Sequence, residues 1–330
     1  MRREIPVEEA IGMVLAHDLT RIVPGEFKGR VFQKGHVISM EDIPLLLDIG
    51  KRHIYVLELN DDEMHEDDAA MRMAEAIGGG AVVRSDVHEG KVVLKAAHAG
   101  MLWVDGARVT AMNMIDDICV STRLPMRHVD AGTSVAAVRP IPLVILREKV
   151  AAVCRIAEEA SMTRGIVNVI AYPEHRVHLI TTGSEILTGR IVDKSGPILR
   201  DRLAKHGLTL ERQVFVGDDE SEIATAIEQA VGDGATVVLL TGGMSVDPDD
   251  RTPSAIRRAA TRVVTYGTPM LPGSMMMLAY RGETAIFGLP GAVVYDAETS
   301  FDMLLPRVLA GFAVTKQDIA GMGVGGWLNA

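Results

Sequence analysis

The 330 residues are 48% hydrophobic and 24% charged, with a formal net charge of −10. At roughly 100–200 residues per domain this length allows two or three domains with buried cores. The acidic excess and the 4% aromatic content argue against a nucleic-acid platform, whose affinity comes from cations on phosphates and rings on bases. No run approaches the ~18 consecutive apolar residues of a membrane span. The N-terminal MRREIPVEEAIGM is interrupted by glutamates and lacks the apolar core of a secretory signal, so a cytoplasmic protein is expected. Cys119 and Cys154 have neither a CxxC nor a Cys/His spacing, which leaves two buried thiols as the reading.

In chain order, Val7, Ala10, Ile11, Val14 and Leu15 fall on one face of an amphipathic helix over 7–16. A short helix over 40–49 stops at Gly50 and precedes a strand at 53–59. DDEMHEDD (61–68) holds six acids in eight residues, the composition of a solvated linker or helix start rather than of a metal site. From 81 to 150 the pattern becomes β-like, with KVVLKA, GMLWV, ARVTAM, TSVAAV and IPLVIL as strands and Asp105-Gly106 as a hairpin turn. A helix over 148–160 bridges to the C-terminal half.

Strands and helices then alternate. Strand 177–182 leads to Gly183, and a helix over 195–206 ends at Gly207. Strand 210–216 precedes a helix over 220–231 that starts from Asp219. Strand 236–241 runs into LTGGMSVDPDDRTP (240–253), where Thr252 caps a helix with Pro253 at its first position. Strands at 262–266 and 284–287 and a helix over 293–309 come next, with the methionines of SMMML (274–278) as core or lid. The expected organisation is 1–80 as an N-terminal α+β segment, 81–150 as a β-rich domain, and 151–174 as a bridge. Residues 175–312 would form an α/β domain with a three-layer, mostly parallel sheet, and 313–330 a flexible tail. The tail's GMGVGG (321–326) matches GxGxxG only as a string, because no helix can follow it.

In open α/β sheets ligands bind at the carboxyl ends of strands. Three loops lie there: Thr182-Gly183-Ser184-Glu185, Thr241 to Asp250, and Gly288-Leu289-Pro290-Gly291. Gly242 and Gly243 let backbone amides approach an anion, and Thr241 and Ser245 add hydroxyls. Asp247, Asp249 and Asp250 would each oppose a bare phosphate by about 1 kcal/mol at 4 Å in water. A phosphate carried with Mg²⁺ removes the conflict, because hard cations bridge carboxylate and phosphate oxygens. Asp247 and Asp250 are therefore candidate metal ligands, although Asp250 could instead favour the start of the next helix. Glu185 adds a carboxylate to the mouth, where Arg190, Lys194 and Arg251 are basic.

The stretches ITTGSEILTGRIVDKSG (180–196), VGDDESEI (216–223), LLTGGMSVDPDDRTP (239–253), MLPGS (270–274) and FGLPGAVVYD (287–296) together resemble the molybdopterin-binding domain. That domain is shared by molybdopterin adenylyltransferases, molybdenum insertases and CinA-like proteins. Residues 7–19 and 29–59 are more weakly similar to the start of the insertases. The resemblance implies molybdopterin or a nucleotide phosphate as ligand, with Mg²⁺. It places Thr241, Gly242, Gly243, Ser245 and Thr252 in the binding loop, Gly183, Glu185, Pro290 and Gly291 in the flanking loops, and Asp250 at the acidic, metal-associated and catalytic position. It also implies a homo-oligomer and a molybdoenzyme or cofactor-pathway partner. Ala292-Val293 stands where the family often has Asn-Pro or Ser-Pro, and Ser274 where insertases carry a lysine. Three functions are consistent with this: a molybdopterin-binding protein of cofactor biosynthesis, a CinA-like hydrolase of nucleotide pyrophosphates, and a noncatalytic carrier or sensor of molybdopterin.

Overall fold

A computed structural model describes residues 2–23, 27–57, 59–161, 164–245, 247 and 250–328. The chain forms two compact units, one from Met1–Ala97, Trp103–Arg123 and Ala131–Asn168, the other from His98–Leu102, Leu124–Asp130 and Val169–Ala330.

The first unit is β-rich. Strands Arg2–Pro6, His53–Leu57 and Val14–Leu15 form one antiparallel sheet. Ile118–Thr122, Ser134–Pro140, Val92–Ala96 and Val82–Arg84 form another, and helix Glu66–Ile77 packs on it and on helix Arg147–Ser161. Two expectations fail here. The 7–16 helix is instead a single 3-10 turn, Val7–Glu9, followed by strand Val14–Leu15. Gly12 at φ 81° breaks the helical path, yet Val7, Ala10, Val14 and Leu15 are still buried. The ARVTAM strand is helix Gly106–Asn113. Asp105 does not turn a hairpin; its carboxylate caps that helix by accepting from the Arg108 amide at 3.1 Å. The acidic run becomes strand Glu63–His65 and the first turn of helix Glu66–Ile77, where carboxylates complement the helix dipole.

In the second unit we number β1 (Val177–Thr182), α1 (Ser184–Leu187), α2 (Ser195–Ala204), β2 (Leu210–Val216), α3 (Glu220–Gly232), β3 (Val237–Thr241), α4 (Thr252–Ala259) and β4 (Arg262–Tyr266). β5 (Met277–Arg281), β6 (Thr284–Gly288), α5 (Ala292–Tyr295), α6 (Ser300–Leu309) and α7 (Lys316–Gly321) complete it. The sheet runs β2-β1-β3-β6-β5-β4. The first four strands are parallel, while β5 is antiparallel to both neighbours. The sheet is thus mixed, because Met277–Arg281, read from sequence only as core or lid, forms a hairpin with β6.

Alternation along the buried strands supplies both faces. Leu179, Leu239 and Phe287 pack with Leu199 and Leu203 of α2 and Phe301 and Leu305 of α6. Ile180, Leu240 and Ile286 pack with Ile223 and Ile227 of α3 and Ile256 of α4. Each such fully buried side chain contributes ~1.5–3 kcal/mol of transfer free energy. The expected 293–309 helix is two helices, separated where Thr299 and Asp302 form a capping box for α6. Residues 313–328 are folded rather than a tail: Val314, Ile319 and Met322 enter the core, and Leu271 exchanges backbone hydrogen bonds with Gly326 and Leu328.

Candidate functional site

β1 and β3 lie side by side with Thr181 opposite Thr241, so the loops after them start together. Thr181, Thr182, Thr241 and Thr252 are all buried, which requires their hydroxyls to find partners. Thr182 Oγ1 donates to Thr241 O at 3.1 Å and lies 3.2 Å from Thr252 Oγ1, which donates to Gly242 O at 2.8 Å. Thr252 is therefore not the expected cap; it lies inside α4, with Arg251 at the cap position, and it ties that helix to the glycine loop.

Gly242 and Gly243 have φ of 93° and 56°, consecutive values that glycine adopts without strain. A Cβ on Gly242 would lie 2.3 Å from Thr182 O. No other residue fits there.

A second network holds the start of α2. Asp193 accepts from the Ser195 amide and hydroxyl at 2.9 and 2.6 Å, from the Gly196 amide at 3.1 Å and from Gln213 Nε2 at 2.7 Å. Burial pushes the Asp193 carboxyl up, but the Ser195 and Gln213 side chains and the two amides outweigh it and hold the group below the usual carboxylate range. Ser195 Oγ, its proton directed at Asp193, lies 3.1 Å from Thr241 Oγ1, which donates to Thr181 Oγ1 at 3.5 Å.

Two adjoining clefts open at this end of the sheet. One, of about 300 Å³, is lined by Thr181, Thr182, Asp193, Ser195 and Thr241 at its base and by apolar side chains at its lip. The other, of about 430 Å³, is lined by Gly243, Ser245, Asp247, Asp250, Gly273 and Ser274. Gly242, Leu289, Pro290 and Gly291 line both and form the divide.

The structure thus gathers Thr241, Gly242, Gly243, Ser245, Asp247, Asp250, Pro290 and Gly291 around one two-lobed cleft, with Thr252 buried behind it. Gly183 and Glu185 stand apart: Gly183 begins α1 and Glu185 is exposed on it, while their neighbour Ile186 lines the first lobe. Lys194 lines that lobe as well. Asp250 Oδ2 accepts from the Asp247 amide at 3.0 Å, so these two acids shape one turn. Asp249 lies outside the described residues. Among the described residues, no three His, Cys, Asp or Glu side chains gather as a metal site.

Sequence reasoning missed Asp193, Ser195 and Gln213. Asp-x-Ser-Gly before a helix is a local capping signal that could have marked the first two. Gln213 carries no such signal, since it sits mid-strand and reaches Asp193 only through the pairing of β2 with β1.

Residues 178–310 match the family model described as a probable molybdopterin binding domain, and residues 4–58 match one described as a domain of unknown function (DUF8806). A molybdenum cofactor biosynthesis bifunctional protein of Synechococcus elongatus is 29% identical over 46% of this chain and 44% of its own length. A CinA-like protein of Geobacter metallireducens is 42% identical over 26% of this chain and 20% of its own. The chain thus spans less than half the length of these relatives. The molybdopterin biosynthesis enzyme MoaB of Thermus thermophilus aligns over 41% of this chain and 91% of its own, at 26% identity and a TM-score of 0.36.

Proposed function

We propose, from the premise that residues 178–310 form a molybdopterin-binding domain, that this protein binds a pterin or nucleotide phosphate in the two-lobed cleft and serves molybdenum cofactor biosynthesis. The observation that carries the reading is the divide of Gly242, Leu289, Pro290 and Gly291, where two glycines leave backbone open to both a polar lobe and an apolar-lipped one. A ligand with a charged end and a ring matches that division. Its phosphate lies against Gly242 and Gly243, where backbone amides without a Cβ beside them can approach an anion. Asp193 holds Ser195 and Gln213 in place, and Ser195 lies against the Thr241 hydroxyl at the base of the ring lobe.

Asp247 and Asp250 fit Mg²⁺ as donors in one respect: the ion is commonly held by one or two carboxylates, with substrate phosphates completing its shell. Bound there, Mg²⁺ would offset phosphate charge. In this reading Asp250 is the principal ligand and the group on which metal-assisted phosphoanhydride chemistry depends. The protein acts in the cytoplasm as a homo-oligomer that delivers to a cofactor-pathway partner or molybdoenzyme.

A second reading, hydrolysis of a nucleotide pyrophosphate, is favoured by the Gly189–Lys194 segment and the Asp249–Pro253 ending, which are CinA-like in sequence. Calorimetry with molybdopterin, ATP and ADP-ribose, with and without Mg²⁺, separates the readings. The expected result is Mg²⁺-dependent pterin or nucleotide binding that weakens in Asp250→Asn. Binding that ignores both the metal and the substitution removes the metal from the proposal, and ADP-ribose turnover promotes the second reading. Tight pterin binding with no turnover identifies a carrier or sensor.

A further inference from the structure

We propose that Tyr295 and Val192 form an apolar clamp on the flat ring of the ligand, so that the protein selects the ring by its faces rather than by hydrogen bonds to its edges. The inference rests on the phosphate reading and adds to it the residues that choose what the phosphate is attached to.

The lip of the ring lobe is built from Ile191, Val192, Val294 and Tyr295, with Ile186 beside them. Val192 is 81% exposed and Tyr295 85% exposed. Single exposed apolar side chains are ordinary, but several converging on one hollow mark a surface that is covered in use. The occupant is constrained by what adjoins the hollow. Its far wall is the Gly242 divide, so whatever sits under Tyr295 continues toward an anion-accepting loop. A planar heteroaromatic ring joined to a phosphate meets both conditions, since it offers an apolar face to Tyr295 and carries charge at its other end.

Apart from Lys194 and the Tyr295 hydroxyl, the polar side chains of this lobe lie at its base and are already engaged. Asp193 accepts four hydrogen bonds, and the Ser195, Thr182 and Thr241 hydroxyls belong to the same buried networks. Edge recognition is therefore left with few donors and acceptors.

The backbone beneath Tyr295 is held firmly. Arg202 of α2 is buried and donates to the carbonyls of Val293, Asp296 and Ala297 and to the Asp302 carboxylate. The ring can turn in solvent while its anchor stays in place, which suits a stacking residue better than a structural one.

The test compares ringed ligands with ringless ones of matched phosphate. The full chain is titrated with ATP against inorganic tripolyphosphate, and with 6-hydroxymethylpterin diphosphate against pyrophosphate, all in Mg²⁺. The expected result is that Tyr295→Ala weakens the ringed members about tenfold, leaves the ringless members unchanged, and is rescued by Tyr295→Phe. Val192→Ser should weaken the ringed members severalfold. The clamp is overturned if Tyr295→Ala leaves ringed binding intact, if it weakens ringed and ringless phosphates equally, or if it instead shifts the sedimentation of the wild-type assembly, which would make the lip a contact between copies. Equal affinity of wild type for ringed and ringless phosphates also removes the clamp while leaving the phosphate reading in place. Binding of none of these phosphates removes both.

Discussion

Helix α2 begins and ends in opposite electrostatic surroundings. At its start, burial alone would neutralise Asp193, but four donors converge on the carboxylate and keep it ionised. At its end, His206 meets His128 edge-to-face at 4.7 Å between ring centroids and lies near Tyr172 at 6.1 Å. Its Nδ1 is buried with no hydrogen-bond partner among the described residues. Burial, and after it the neighbouring His128, push the His206 imidazole down to about 4, against the pull of Asp302 and Asp130. A helix C-terminus ordinarily favours a cation by roughly 0.3–1 kcal/mol; here desolvation outweighs that preference. Burial sets the problem at both ends, and the number of donors supplied decides whether a charge survives it.

The largest blow to the N-terminal end should come from Gly242→Ala. A Cβ within 2.3 Å of a carbonyl oxygen, on a residue with φ of 93°, is expected to cost about 4 kcal/mol of unfolding free energy and to abolish phosphate binding. Denaturant titration and calorimetry check this, and a variant of wild-type stability would contradict the tight fit of the loop against Thr182. Asp193→Ala comes next. Leaving several buried donors unpaired should cost about 3 kcal/mol. Because the folded pKa of Asp193 lies below its reference value of 3.8, its contribution is fully present above that pH and is lost as pH falls through the folded value.

His206 should act in a higher window. Its folded pKa of about 4 lies below the reference 6.5, so its contribution is complete above pH 6.5 and fades as pH falls to 4, about 3 kcal/mol at most. Melting temperatures measured across that range should decline in wild type and flatten in His206→Phe; parallel slopes would show that the histidine is not the titrating group. The smallest effect on stability belongs to Asp250→Asn, under about 0.5 kcal/mol, since the Asp247 amide can bond the amide oxygen instead. Its consequence should be confined to Mg²⁺-dependent affinity.

The α/β unit was the more legible part of the chain. Strands 177–182, 210–216 and 262–266 coincide with their predicted spans: the first is a buried parallel strand that reads as an apolar run, and the other two are edge strands rich in β-branched residues and followed by Gly217 and Gly267. Met277–Arg281 escaped notice because Met277, Leu278 and Ala279 carry no β-branching. In the N-terminal unit, Val7–Leu15 has the spacing of a helix, but Gly12 and the pairing of Val14 and Leu15 with His53–Leu57 override it. At the site, the glycine loop was visible because it is local in sequence. Gln213 and Arg202 were not, because each acts on residues 20 or more positions away.

Arg202 carries one more implication. A single guanidinium grips the backbone under Tyr295 from a helix whose first residue, Ser195, is held by Asp193. The floor and the lip of the ring lobe are therefore anchored to the same helix, and Thr241, one residue before the loop that receives the phosphate in the proposed reading, lines the lobe between them.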